Sequence, residues 1–351
     1  MTIENIDPKL FTSIKVGPYL LNSRITMCPL SRLRATNDHL PSQLNLEYYD
    51  ERSKIPGSFL VTESTAITDK FGAISHMPGI WNAQQTQGWS KIVEKVHENK
   101  SYIFLQLGAH LKTQPLCYMS LKKWNPPNVV EEYEELFANA VLNAISGAKF
   151  DGVEIAPYQY CAFLLKRNVD EGDRLKLISR FCHFLKDKIA PVVGLENMNR
   201  VGLKISILSQ EEQIFLVKKL NEVGLSHLAY LSITELRLTN LHVDSDASLG
   251  SNDWIREEWN GTVIRMGGYL DNIAKLNIDI LANDKTLIGV GRYYSSNPNL
   301  INQLKNGDPL KDYNRLTFYT NTSVGYLHWL EEESSENHFK HQGPVSILEK
   351  S

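Results

Sequence analysis

The chain has 351 residues, 42% of them hydrophobic, which is enough to bury one large core. Its formal net charge of −3 argues against a general nucleic-acid or anionic-membrane surface. Four scattered cysteines (Cys28, Cys117, Cys161 and Cys182) lack CxxC spacing and predict reduced thiols with no metal site, while the absence of a signal-peptide pattern or a membrane-length apolar run leads to the expectation of a soluble, cytoplasmic protein.

Short apolar runs bounded by Gly, Asn or charged residues predict strands along the whole chain. They fall at Ile25–Cys28, Ser58–Thr62, Tyr102–Leu107, Gly152–Ile155, Val201–Ile205, His227–Leu231, Thr262–Met266 and Leu287–Gly289. Between them, apolar residues at three-to-four spacing predict helices at Gln43–Ser53, Gln84–Asn99, Glu131–Ser146, Arg174–Ile189, Glu211–Val223, Asn252–Glu258, Leu270–Asn277 and Pro298–Lys305. Ser209-Gln-Glu-Glu212 has the form of a helix start, with acidic residues in the first turn. Alternation of this kind predicts the α/β class and a single (β/α)8 (TIM) barrel. No long linker or repeat interrupts it, so one domain is expected over residues 1–351, with a polar, peripheral tail from about residue 331.

In such a barrel, chemistry sits where strands end. The last strand runs into Gly291-Arg292, and the one before it into Gly267-Gly268. A Gly-Arg pair offers a close backbone N–H and a fixed cation to an anion, and two successive glycine-ended units suit the phosphate site after the last two barrel strands. Two left-handed turns without a ligand are the plainer alternative. The other strand ends present Pro29 and Ser31, Ser64, Gln106, Ala156 to Gln159, and Lys204. A flat, hydrogen-bonding, phosphorylated ligand suits that set; flavin mononucleotide (FMN) meets the description, and so would another phosphorylated cofactor.

Several motifs carry a resemblance. They are Asn22-Ser-Arg-Ile-Thr-Met-Cys-Pro-Leu-Ser-Arg-Leu-Arg-Ala, Met77-Pro-Gly-Ile-Trp, Phe104-Leu-Gln-Leu, Asp151-Gly-Val-Glu-Ile, Val263-Ile-Arg-Met-Gly-Gly, Leu287-Ile-Gly-Val-Gly-Arg-Tyr-Tyr and Asp312-Tyr-Asn-Arg-Leu-Thr-Phe-Tyr. In order and spacing the chain resembles the old yellow enzyme family of FMN-dependent ene-reductases, in particular its fungal branch. The resemblance implies FMN as cofactor and NADPH or NADH as electron donor. It implies Pro29 and Ser31 beside the ribityl chain and ring, Ser64 and Gln106 at the pyrimidine, and Lys204 in place of the family's arginine at N1 and O2. Gly267, Gly268, Gly291 and Arg292 would hold the phosphate, and Phe318 and Tyr319 match an aromatic pair near the dimethylbenzene edge.

The substrate half departs from the family. Where relatives carry His-x-x-Asn or His-x-x-His and then a proton-donating Tyr, this chain has Ala156, Gln159 and Cys161. Tyr158 and Tyr160 stand nearby in shifted register, and Tyr160 is the favoured donor, ahead of Tyr158 and Cys161. The lid region is short (about residues 109–129), and His110 near the pocket mouth offers a replacement donor or is simply solvated. The expected function is reduction of an activated alkene through a modified substrate site. The alternatives are a non-reducing isomerase, lyase or cyclase on the same fold, with or without FMN, and a catalytically silent paralogue. The expected partner is a small molecule, by analogy a specialised metabolite, with no nucleic acid or membrane; a homodimer is compatible with the fold.

Overall fold

A computed structural model describes residues 3–70, 73–108, 129–156, 171–205, 209–235 and 252–328. An antiparallel hairpin, β1 (Ile14–Val16) and β2 (Tyr19–Leu21), precedes the main sheet. Its turn contains Gly17 at φ +54°, where a Cβ would stand 2.0 Å from the Asn199 carbonyl oxygen, so no other residue fits there.

The main sheet comprises β3 (Ile25–Met27), β4 (Phe59–Val61), β5 (Thr65–Ala66), β6 (Tyr102–Gly108), β7 (Gly152–Ile155), β8 (Val201–Lys204), β9 (Tyr230–Thr234), β10 (Val263–Met266) and β11 (Thr286–Val290). The strand order is β4-β3-β11-β10-β9-β8-β7-β6-β5, and β4 also pairs with β6, so eight parallel strands close on themselves as the (β/α)8 barrel. By packing, the chain divides into two compact units, one of residues 29–153 and 291–351 with the first two residues, the other of residues 3–28 and 154–290; the division passes through β7 and at the ends of β3 and β11.

In the first unit, the helix Ala83–Glu98 buries Trp89, Ile92, Val93 and Val96. Trp89 meets the ring of Phe150 at 5.4 Å and that of Tyr49 at 5.9 Å. In the second, the helices Glu171–Phe184 and Gln210–Glu222 bury Ile178, Phe181, Leu216, Val217 and Leu220. The start at Ser209 is a capping box: its hydroxyl accepts from the Glu212 N–H while the Glu212 carboxylate accepts from the Ser209 N–H.

The structure corrects four sequence expectations. The strand placed at His227–Leu231 runs instead from Tyr230 to Thr234, because its ladder partners begin at Gly202 and Val263; His227 lies in the preceding turn. The helix placed at Leu270–Asn277 is a 3-10 turn at Tyr269–Asp271 followed by a helix at Ile273–Ala282, restarted where the Asn272 side chain caps the Lys275 N–H. A short helix, Arg292–Ser296, precedes Leu300–Asn306. The helix Gln43–Ser53 buries not an apolar stripe but Asn45, Tyr48, Tyr49, Arg52 and Ser53, since its inner face meets carbonyl groups: Arg52 donates to the carbonyls of Tyr294 and Ser295.

Candidate active site

In the first unit, Pro29 and Ser31 follow β3 and are half-buried. The next residues form a buried polar hub that sequence reasoning passed over. Arg32 donates through Nε to the Phe318 carbonyl at 3.2 Å and through Nη2 to that of Gly325 at 2.6 Å, and its guanidinium lies over the rings of Phe318 and Tyr326. Arg34 donates to the carbonyls of Thr317, Phe318, Thr322 and Val324. Burial, followed by repulsion from Arg32, holds the Arg34 guanidinium down at about 10. Glu63, at the end of β4, accepts from the backbone N–H groups of Arg32 and Leu33 and from Asn45 Nδ2, which also donates to the Tyr326 hydroxyl. Burial pushes the Glu63 carboxyl up, and those N–H groups together with the two arginines oppose it.

The hub ties the segment 317–325 to the end of β3 and so fixes Phe318, which is buried; Tyr319, by contrast, is 64% exposed. The sequence signal was the pairing of Arg32-Leu-Arg34 with a carbonyl-rich turn, which no local periodicity reveals.

Ser64, between β4 and β5, and Gln106, two residues before the end of β6, are both buried. The Gln106 backbone N–H donates to the Thr62 hydroxyl, which orients the end of β6. Gly291 has an open position: a Cβ there would meet no atom within 4 Å. The fold among the described residues therefore does not require a glycine at 291, and the space there would admit a ligand close to the backbone. Arg292 beside it contacts the Tyr313 ring at 5.7 Å and the Tyr313 hydroxyl at 3.5 Å, and among the described residues no carboxylate pairs with it. A cation without an anion, next to a glycine with space above it, suits a phosphate.

In the second unit, Lys204 closes β8 and is half-buried. Gly267 follows β10 at φ +130°, and a Cβ on it would stand 2.6 Å from the Glu235 carbonyl oxygen; Gly268 is left-handed at φ +92°. This turn rests on an ion cluster. Arg265 pairs with Glu235 at 2.6 Å and with Asp253 at 2.8 Å, and the fully buried Asp279 accepts from Arg256, Lys275 and the Tyr269 hydroxyl. Burial lowers the Arg265 guanidinium, but its carboxylate partners outweigh that and raise it on balance.

Ala156, after β7, is buried, and its methyl group can donate no hydrogen bond. Cys28 is a buried thiol in no disulfide, pushed up to about 12 by desolvation, which disfavours the thiolate; Cys182 is likewise buried and in no disulfide. Tyr158, Gln159, Tyr160, Cys161, Cys117, His110, the lid region and the tail beyond residue 328 lie outside the described residues. Among the described residues, no group of acidic, His or Cys side chains could hold a metal, and no helix is long and apolar enough to cross a membrane.

A parallel barrel with a Gly-Arg pair after its last strand belongs to the class of (β/α)8 barrels that suit a phosphorylated ligand. Residues 9–120 and 114–311 match the NADH:flavin oxidoreductase / NADH oxidase family, and the chain belongs to that family. It is 32% identical over 380 residues to a "Probable NADPH dehydrogenase" of Candida albicans, covering 93% of this chain and 91% of that protein. It is 31% identical to a "Probable inactive reductase easA" of Epichloe festucae var. lolii, with 93% and 97% covered. An old yellow enzyme from Pichia superposes with a TM-score of 0.77 at 29% identity, covering 92% and 93% of the two chains. The protein is thus an FMN-dependent oxidoreductase of old yellow enzyme type, with a nicotinamide as electron donor.

Proposed function

We propose that the protein reduces an activated alkene with NADPH or NADH, binding FMN at the carboxyl ends of its barrel strands. The carrying observation is the Arg292 cation, which no carboxylate pairs among the described residues, beside the open Gly291; the two suit the phosphate. In this reading Gly267 and Gly268 supply backbone N–H groups to the same phosphate. Ser31, Ser64 and Gln106 hydrogen-bond the ring system, Pro29 and Phe318 bound it, and Tyr319, exposed in this structure, covers its edge. Lys204 faces the pyrimidine. When bound, FMN supplies the capacity to accept a hydride from the nicotinamide and hand it on. The chain orients both partners, excludes water and delivers the proton.

On the substrate side Ala156 offers no hydrogen bond, so a carbonyl oxygen would depend on Gln159 as a neutral donor. The proton would come from Tyr160, with Tyr158 and Cys161 as the other sources; stopped-flow on Tyr160→Phe, Tyr158→Phe and Cys161→Ala separates them. Loss of the donor slows reoxidation by substrate and leaves reduction by NADPH intact. We further read the chain as one cytoplasmic domain acting on a small, specialised metabolite, with a homodimer as its assembly.

A second reading, a non-reducing or catalytically silent barrel, is favoured by Ala156 itself and by the likeness to the Epichloe protein named a probable inactive reductase. One experiment decides between them. Yellow protein that bleaches anaerobically with NADPH supports the reductase. Yellow protein that does not bleach supports a non-reducing flavoprotein, and colourless protein that rejects FMN overturns the flavin site.

A further inference from the structure

A buried acidic side chain shares a hydroxyl partner with the rung of the strand-end lysine. Glu154, on β7, has no solvent exposure, and its Oε2 accepts a hydrogen bond of 3.0 Å from the hydroxyl of Ser232, which is equally buried on β9. In the ladder between β8 and β9, Ser232 is the Cα partner of Lys204. Partners on adjacent strands project to the same face of a sheet. Lys204 therefore stands one rung beside the hydroxyl that fixes the carboxylate. Both charges also act on a third group. The Cys28 thiol, raised first by burial, is lowered by Lys204 and raised further by Glu154.

A carboxylate taken fully out of water persists only with hydrogen bonds and a compensating cation. Lys204 is the cation that the ladder places beside it. The compensation is mutual, because the field Lys204 projects from its strand end is reduced by the negative charge behind it. We propose that Glu154, held by Ser232, is a positioning residue that acts through Lys204, opposing the field of its ammonium and thereby setting the balance between oxidised and reduced FMN. The inference rests on the flavin reading above. It adds a potential-setting role for a residue that touches neither substrate nor cofactor.

The test uses purified holoprotein and three readouts: the midpoint potential against a reference dye, the FMN dissociation constant, and the melting temperature of the apoprotein. Glu154→Gln keeps the shape and the Ser232 hydrogen bond but removes the charge. Lys204 then acts unopposed on the reduced, more negative ring, and the reduced-to-oxidised binding ratio is expected to rise about tenfold. For a two-electron couple that is an upward shift of about 30 mV. Glu154→Asp, which retains the charge, is expected to restore more than half of the shift. In a Lys204→Met background the same Glu154→Gln change is expected to lose at least half of its effect.

Should Glu154→Gln fail to fold, Ser232→Ala releases the carboxylate without altering any charge. It must move the ratio more than twofold, about 9 mV in either direction. An unmoved potential in folded Glu154→Gln overturns the proposal, even if the melting temperature drops. A shift of equal size without Lys204 overturns it too, because the carboxylate would then act on the flavin directly. Parent protein that binds no FMN is a different failure, since it removes the flavin reading itself.

Discussion

Two glycines at strand ends are present for different physical reasons, and replacing each with alanine separates them. At Gly267 the backbone sits at φ +130°, and a Cβ would be 2.6 Å from the Glu235 carbonyl oxygen and 3.1 Å from its nitrogen. Both the conformation and the clash penalise any side chain, so Gly267→Ala is expected to destabilise the apoprotein by about 1–3 kcal/mol. At Gly291 φ is −106° and a Cβ would meet nothing within 4 Å. Gly291→Ala therefore costs the apoprotein nothing, and its lower unfolded-state entropy adds up to about 1 kcal/mol of stability. The penalty falls on the ligand. If the open space belongs to a phosphate, the methyl group displaces it from a charge-assisted backbone hydrogen bond worth about 1.5–3 kcal/mol, which is about 10- to 150-fold in affinity. Thermal unfolding of both apoproteins and fluorescence titration with FMN measure the two effects. Equal melting losses in the two variants, or unchanged FMN affinity in Gly291→Ala, would refute the reasoning.

Arg292→Met is expected to weaken FMN binding by about 10- to 150-fold, since it removes the charge-assisted partner of a desolvated phosphate, with little change in apoprotein melting. Ala156→His together with Gln159→Asn is expected to strengthen binding of a para-substituted phenol and its long-wavelength absorption band; titration of parent and variant decides it. Asp279→Asn is expected to cost about 3–5 kcal/mol in chemical denaturation, because Arg265 and Arg256 lose a fully buried partner, whereas Lys275→Ala, at a half-exposed pair, costs under about 1 kcal/mol. His97 Nε2 lies 2.9 Å from Asp151 Oδ2, and that hydrogen bond raises the imidazole above its ordinary value. A raised folded value means that the pair's contribution is complete below the unfolded pKa of about 6.5 and fades as pH rises through the folded one. His97→Gln is thus expected to lower the melting temperature at about pH 5.5 and to converge with the parent above about pH 8.

The barrel was legible in the sequence because its signals are local. Buried parallel strands read as apolar runs, helices carry caps such as Ser209 with Glu212, and Gly-Arg marks the end of the last strand without any knowledge of neighbours. The same locality explains the errors. The start of β9 was displaced because strand limits follow the partners, Gly202 and Val263, and not the apolar run beginning at His227-Leu228. The polar inner face of Gln43–Ser53 escaped notice because its partners, the carbonyls of Tyr294 and Ser295, are more than 240 residues away.

By itself, then, the sequence determined the barrel, the glycine pairs with Arg292 at its last strand ends, and an alanine at 156, which can donate no hydrogen bond, since each is written in adjacent residues. Only the tertiary structure decided which glycine the fold requires and which has open space above it. It alone brought Arg32 and Arg34 to the turn that fixes Phe318, and Glu154 to the hydroxyl beside Lys204. Those outcomes depend on what lies across space from a side chain, and burial, hydrogen-bond satisfaction and charge compensation are properties of that surrounding and not of the chain's local order.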